Sequence, residues 1–345
     1  DYTDSSCPAL LLEPQRTNIV PISEGVPEDS TAVTLTKNYG TSPEGVQNSL
    51  KVQKLGVTSN DRIYPIDNYN ATLVSGDEYS LSAFVKNIDV DGITTIACRL
   101  GSGGTLVRLG YEWNGSSLTK SGLYGAGTRT NEILEDYGNG WWRIGFTFEA
   151  DGTQSNIEID VDRDNGSDTT SIETWGWQLE SATGDASYAT SYIPTYGSSV
   201  TRVRDLALTS SSITLATKNF TIFVDSRKMN LSSAGSLDIS YKTGGGAIFM
   251  FGNCIGWAGA SGTEYYCAGT LLGDCKWAFV ADYDAGNIKI FLNGSLVKTD
   301  TSINLSRFGL GQVELNYSNS MSQYKEVITI PTAISNEEAI DLTTL

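Results

Sequence analysis

WGWQLESATGDASYATSYIPTYGSSVTRVRD, Trp175–Asp205, is the stretch that decides the fold. Its centre is almost uncharged and is built from aromatics, small residues and turn formers. The first six residues, WGWQLE, read as a strand that closes a module. Trp175 and Trp177 share a parity, and alternate residues of a strand share a face, so both are expected in the core. Residues 182–205 read as an irregular strap, rich in Ser, Tyr and Thr, that packs against the sandwich or against a neighbouring subunit.

Short alternating segments precede the strap. Tyr79–Asn87 (YSLSAFVKN) reads as a half-buried strand. Ile93–Leu100, Thr105–Trp113, Gly140–Glu149 and Ile157–Val161 follow, with Asp91-Gly92, Asn114-Gly115 and Asn139-Gly140 as hairpin signals. An opening segment, Asp1–Val20, ends in a strand and is punctuated by Pro8, Pro14 and Pro21. Strands at this spacing predict a jelly-roll sandwich over residues 1–205. A linker is expected near Arg204–Ser212, and a second module over 206–345. There Asn219–Ser226, Lys276–Asp284 and Asn287–Asp300 read as strands, and Asn293-Gly294 fits a type I′ turn. Phe308–Gly311 and Tyr324–Ile330 add further strands. Ser335 with Glu338 three residues on is a capping box for a short C-terminal helix over Ser335–Leu342. The fold class expected is all-β: two β-sandwich domains in series, the second ending in that helix.

Composition agrees. Of 345 residues, 18% are charged and 39% hydrophobic, and 36 are Gly, which suits short strands joined by tight turns. The net charge of −17 opposes binding to nucleic acid or anionic lipid and favours solubility. No apolar run is long enough to span a bilayer. The chain starts at Asp1 without Met and reads as a piece of something larger. There is no His, which excludes Ser-His-Asp and Cys-His catalysis and the zinc hydrolases. Five Cys (Cys7, Cys98, Cys254, Cys267, Cys275) lack a regular spacing and read mostly as buried thiols, with one disulfide open among the last three.

Two motifs resemble a known family. The pattern WGWQLE…SYIPT…TR at the end of the first module, with Leu10–Asn18 (LLLEPQRTN) near its start, resembles β-sandwich modules of bacteriophage tail-fibre and other virion surface proteins. The second module, with KWAFVADYD, NIKIFLNG, an LG strand and a terminal AISNEEAI helix, is similar to concanavalin-A-like and laminin-G-like lectin sandwiches. The resemblance implies a tail or head fibre segment, assembled in the host cytoplasm and displayed on the virion surface. It would be a homotrimer beside other virion proteins, binding host or environmental polysaccharide without cleaving it. Two alternatives are a carboxylate-based polysaccharide depolymerase and a purely structural decoration protein.

The candidate residues follow from these readings. Glu158, Asp160 and Asp162 alternate on one strand and so are expected on one face. Retaining β-glucanases of the same broad architecture use a similar Glu-x-Asp run followed by a second Glu. Here Asp162 and Arg163 stand where that Glu is wanted, so no complete catalytic motif is present. Asp160, Asp162 and Asp164 around Gly166 form a candidate structural calcium loop, although Gly falls one place late for an EF-hand and Ser171 holds the twelfth position. Arg16 and Glu180 are expected to pair between the opening and closing strands of the first module. Sugar C–H faces stack on exposed rings, so Trp142, Trp257, Tyr265 and Tyr266 are the candidate glycan-binding residues.

Overall fold

The structure is a computed structural model. It describes residues 9–25, 29–56, 61–101, 105–152, 154–163, 168–181, 188–205, 207–208, 213–214, 219–228, 248–251, 254–258, 263–267, 273–301, 310–311, 314–315 and 322–345. The fold is all-β with one short helix, Asn336–Thr343. The chain divides into two compact units. One is built on residues 16–202. The other holds 203–345 together with the N-terminal strand Leu10–Leu12.

The first unit has two antiparallel sheets. One runs in the order Ser117–Tyr124, Leu106–Asn114, Ile93–Leu100, Gln154–Asp160, Arg62–Thr72, Asp29–Thr31. We call it the arginine sheet. The other runs Thr130–Gly138, Trp141–Glu149, Glu78–Asn87, Ser171–Ser181, Arg16–Asn18, Val200–Arg202, with Leu50–Lys54 and Val33–Thr36 added beside Ser171–Ser181. We call it the strap sheet. Their inner faces share one core. Ile96, Cys98, Ile157 and Ile159 come from the first, and Leu81, Val85, Phe146, Trp177 and Leu179 from the second. The period of two along each strand sends the intervening residues to the outer faces.

The two tryptophans expected on one face are on opposite faces. Trp177 lies in the inter-sheet core, whereas Trp175 lies in a separate outer cluster with Phe84 and Trp141. Gly176 explains this. Its φ of +62° is in the left-handed region, and the pairing with Glu78–Asn87 shifts register between Trp175 and Gln178. One extra residue in a strand reverses which side the next side chain faces.

In the second unit the main sheet runs Leu10–Leu12, Ser322–Ile330, Phe220–Lys228, Gly273–Asp282, Asn287–Leu292, Ser295–Asp300. Thus LLLEPQRTN divides: Leu10–Leu12 pairs with Ser322–Tyr324 here, and Arg16–Asn18 pairs in the first unit. Ile248–Phe251, Cys254–Ala258 and Thr263–Cys267 form a three-stranded sheet in which Cys254 and Cys267 face each other and are disulfide-bonded. Cys98 and Cys275 are buried thiols, and Cys7 lies outside the described residues. The expected hairpin turn forms, with Asn293 at φ +45° and Gly294 at φ +76°. So does the capping box: the Glu338 amide donates to Ser335 Oγ, and the Ser335 amide donates to Glu338 Oε2 at 2.8 Å. Among the described residues, no helix is long and apolar enough to cross a membrane.

Candidate functional site

The acidic strand Gln154–Asp160 belongs to the arginine sheet. Ile157, Ile159 and Val161 point into the core, so Glu158 and Asp160 stand on the outer face of the arginine sheet. They are 0% and 1% exposed. Four arginines from different segments close over them. Glu158 accepts from Arg62 Nη1 at 3.1 Å and Arg108 Nη2 at 3.3 Å, and Arg99 Nη2 lies 3.6 Å away. Asp160 lies 2.6 Å from Arg62 Nε, 3.4 Å from Arg163 Nη1 and 3.7 Å from Arg108 Nη2, and accepts from Thr95 Oγ1 at 3.1 Å. Ala97 sits between Glu158 and Arg108 in the ladder, and its methyl leaves the guanidinium room to reach across. Neither carboxylate has a face open to a glycosidic bond.

Asp162 does not join them. It lies beyond the strand end, where Thr170 Oγ1 donates to its Oδ2 at 3.4 Å. Beside it the fully buried Lys54 ammonium lies 2.8 Å from Asp168 Oδ1 and 3.3 Å from Asp61 Oδ2, and donates to the Asp162 carbonyl at 3.2 Å. Burial pushes the Lys54 pKa down, but the Asp168 hydrogen bond and the Asp162 charge hold it above its ordinary value. Burial raises Asp61. Burial pushes the Asp168 pKa up, but the hydrogen bond and charge of Lys54, with hydrogen bonds from Thr170, draw it below its ordinary value. Of the three aspartates that suggested calcium, Asp162 lies beside this lysine. Asp160 belongs to the arginine network, and Asp164 lies outside the described residues. Among the described residues, no group of three acidic or Cys side chains is arranged to hold a metal ion.

Of the expected glycan residues, Trp257 and Trp142 donate hydrogen bonds within the fold. Trp257 is 0% exposed in the core of the second unit, and its Nε1 donates to Asp300 at 3.0 Å. A ring with no free face cannot stack on a sugar, which corrects the expectation for Trp257. Tyr266 packs partly against the same core. The Tyr265 side chain lies outside the described residues. Trp142 packs against the edge of the first unit's core and donates to the Ser116 carbonyl at 3.0 Å.

The strap is where the strap sheet's polar side chains converge. The Gln178 Oε1 accepts from the Ile193 amide at 2.7 Å, and its Nε2 donates to the Thr190 carbonyl at 3.3 Å. Glu180 accepts from the Thr190 amide at 2.6 Å, from Thr190 Oγ1 at 2.7 Å and from Gln178 Nε2 at 3.0 Å. Arg143 donates to the Thr190 carbonyl at 2.6 Å, and Asn18 to the carbonyls of Ile193 and Trp177 at 2.8 and 3.0 Å. These side chains satisfy the main chain at Thr190 and Ile193, which lies outside the strands. The opening and closing strands are neighbours as expected, Asn18 standing opposite Glu180. Glu180 gives its carboxylate to the strap, and Arg16 is buried two residues before Asn18 on the opening strand. Alongside, Tyr192 lays its ring on Trp175, centroids 4.4 Å apart, with Phe84 and Trp141 beyond.

One strap residue faces outward. Tyr196 is 76% exposed. Its hydroxyl lies 3.3 Å from both oxygens of Glu24, which also accepts from Tyr192 Oη at 3.0 Å and from Asn48 Nδ2 at 3.3 Å. Asn48 Nδ2 also donates to Glu44 at 2.8 Å, while Asn48 Oδ1 accepts from nothing. The patch therefore joins an exposed ring and a fixed carboxylate. Sequence reasoning passed over Tyr196 because Glu24, which holds its hydroxyl, comes from far along the chain.

No family model matches the chain, and no curated protein matches it. Several solved structures do. Botulinum neurotoxin type C, which enters cells through interaction with two ganglioside molecules, matches over 36% of this chain and 35% of its own, at 13% identity and a TM-score of 0.31. A heptameric SAP-like pentraxin from Limulus polyphemus matches over 40% of this chain and 75% of its own, at 12% identity and a TM-score of 0.33. Domains LG4-5 of the mouse laminin α1 chain align over 96% of both chains at 9% identity, with a TM-score of 0.22. The chain spans well under half of the toxin's length. At these scores the all-β description rests on the chain's own sheets.

Proposed function

We propose that this chain is a segment of a bacteriophage tail or head fibre, displayed on the virion surface, that binds host or environmental polysaccharide without cleaving it. The observation that carries the binding half is the Tyr196 patch. Tyrosine offers an apolar face for sugar C–H groups and costs little conformational entropy to place. The Glu24 carboxylate offers a directional partner for sugar hydroxyls beside that face. What supports the non-cleaving half is the burial and arginine pairing of Glu158 and Asp160. The fibre assignment is supported by the WGWQLE…SYIPT…TR pattern, whose conspicuous residues form the strap and its seat. A single exposed tyrosine makes a weak site. Trimeric display beside other virion proteins would multiply its effect through effective concentration.

The test is a panel of marine and capsular polysaccharides, read for retention of the chain and for release of reducing or unsaturated ends. Retention without release is expected. Tyr196→Ala should weaken retention at least about tenfold, the scale of a binding hot spot. Release of oligosaccharides would replace this reading with a depolymerase. An intact oligomer that retains no glycan would replace it with a structural decoration protein.

A further inference from the structure

Three side chains meet where the chain crosses between the two sheets of the first unit. Lys54 ends the strand Leu50–Lys54 of the strap sheet, and Asp61 stands just before Arg62–Thr72 of the arginine sheet. Their side chains are 0% and 1% exposed, and Lys54 Nζ lies 3.3 Å from Asp61 Oδ2. Asp168 lies 2.8 Å from the same Nζ, with its side chain 25% exposed. Main-chain hydrogen bonds hold the reactants in place. The Lys54 amide donates to the Thr170 carbonyl at 3.0 Å, and the Asp61 carbonyl accepts from the Val161 amide at 3.1 Å. Asp61 is the odd member. Both of its carboxyl oxygens are buried, and among the described residues no donor meets either of them in hydrogen-bond geometry. An ionised carboxylate in that state is costly, and the neutral acid costs less. A buried carboxyl held against a buried amine is the reactant pair of amide formation.

We propose that Lys54 and Asp61 join in an intramolecular amide bond, with Asp168 taking the proton that frees the amine. The Lys54 ammonium gives one proton to the Asp168 carboxylate. The nitrogen lone pair then attacks Cγ of the Asp61 acid, and an N–C bond forms. The adduct expels the Asp61 hydroxyl, which leaves as water with a second proton from the nitrogen, so one C–O bond breaks. The products are a neutral amide, one water and a protonated Asp168, which releases its proton to solvent on its exposed side. Burial works against the charge on both reactants. The Asp168 hydrogen bond and the Asp162 charge keep the resting amine an ammonium, so the transfer to Asp168 gates the step. Holding amine and acid in contact makes their reaction unimolecular. The link also replaces two buried charges with one neutral group, which removes the desolvation that opposes a buried pair. It would tie the strap sheet to the arginine sheet in a unit that has no disulfide among its described residues. A chain in which the bond has not closed keeps the ion pair of the structure.

The experiment is mass spectrometry of the full chain, purified and held for days at mildly alkaline pH. After reduction of the disulfide, the intact mass should lie one water below that of the sequence. Trypsin cuts after a cationic side chain, so it should no longer cut after Lys54. Residues 52–62 should then appear as one peptide lacking one water. Asp61→Ala should keep its full mass and be cut after Lys54. Asp168→Asn, measured on the folded variant, should close the bond at least about a hundredfold more slowly. Full mass in the native chain after prolonged incubation would overturn the proposal. So would a lost water that leaves 52–54 and 55–62 as separate peptides, the result expected if an Asp-Gly pair such as Asp91-Gly92 or Asp151-Gly152 had cyclised instead. A link from Lys54 to Asp168, or an undiminished rate in Asp168→Asn, would overturn the roles assigned to the two aspartates.

Discussion

Lys54 shows how one buried charge can organise a loop. Its ammonium compensates the buried Asp61, and it also holds Asp168 and the Asp162 carbonyl. Removing one partner of a buried ionic group leaves the others stranded, so Lys54→Met should cost about 3–5 kcal/mol in urea unfolding. A loss under about 1 kcal/mol would mean that the cluster is solvated like a surface pair. Lys54 also enters the pH dependence. Its pKa is raised on folding, so its stabilising contribution is whole below its ordinary value and is lost as pH rises through the folded one. Tyr111 and Tyr192 act in the same direction. Burial raises both, so each keeps its proton in the fold while the unfolded chain begins to lose its own above about pH 10. Thermal midpoints measured from pH 7 to 12 should therefore fall above about pH 10. A flat profile to pH 12 would contradict the burial of these hydroxyls, of which Tyr111 donates to the carbonyls of Ile133 and Gly145 at 2.7 and 3.1 Å.

The element that most repays attention is the bulged strand Ser171–Ser181. A Cβ on Gly176 would need φ near +62° and would stand 2.9 Å from Phe84 Cδ2 and 3.3 Å from Tyr192 Cε2. Gly176→Ala should destabilise the first unit by about 1–3 kcal/mol, combining left-handed strain with a clash on an aromatic floor. Intrinsic fluorescence would follow it, because Trp175 shares that floor; a neutral effect on urea unfolding would mean that the strap gives way freely. This strand also marks where sequence reading stops. The Tyr79–Asn87 strand, the Asn293-Gly294 turn and the Ser335–Glu338 cap were legible because each signal is local. The opposite facing of Trp175 and Trp177 was not, because one glycine between two strand formers can be an ordinary residue or a bulge. Nor was the pairing of the acidic run, since Arg62, Arg99 and Arg108 reach it from other strands and only the fold brings them together.

At the scale of the molecule, each compact unit has its own core, so calorimetry should resolve two transitions. The disulfide assigns them. Cys254→Ser/Cys267→Ser opens a loop of sequence separation 13 in the second unit, and should lower that unit's stability by about 2–3 kcal/mol while leaving the other transition in place. Movement of both midpoints together would show a single cooperative fold. The seat of the strap has a consequence for synthesis. Asn18 hydrogen-bonds to Trp177 and Ile193, and Ser23 accepts from the Thr195 amide at 2.8 Å. The first unit is thus fastened at contacts more than 150 residues apart, between the beginning and the end of its own stretch of chain. On the ribosome no earlier portion can reach its finished form: at about 5–20 residues per second, the nascent sandwich waits many seconds with its aromatic floor uncovered. That interval is when a chaperone or a sister chain would find it.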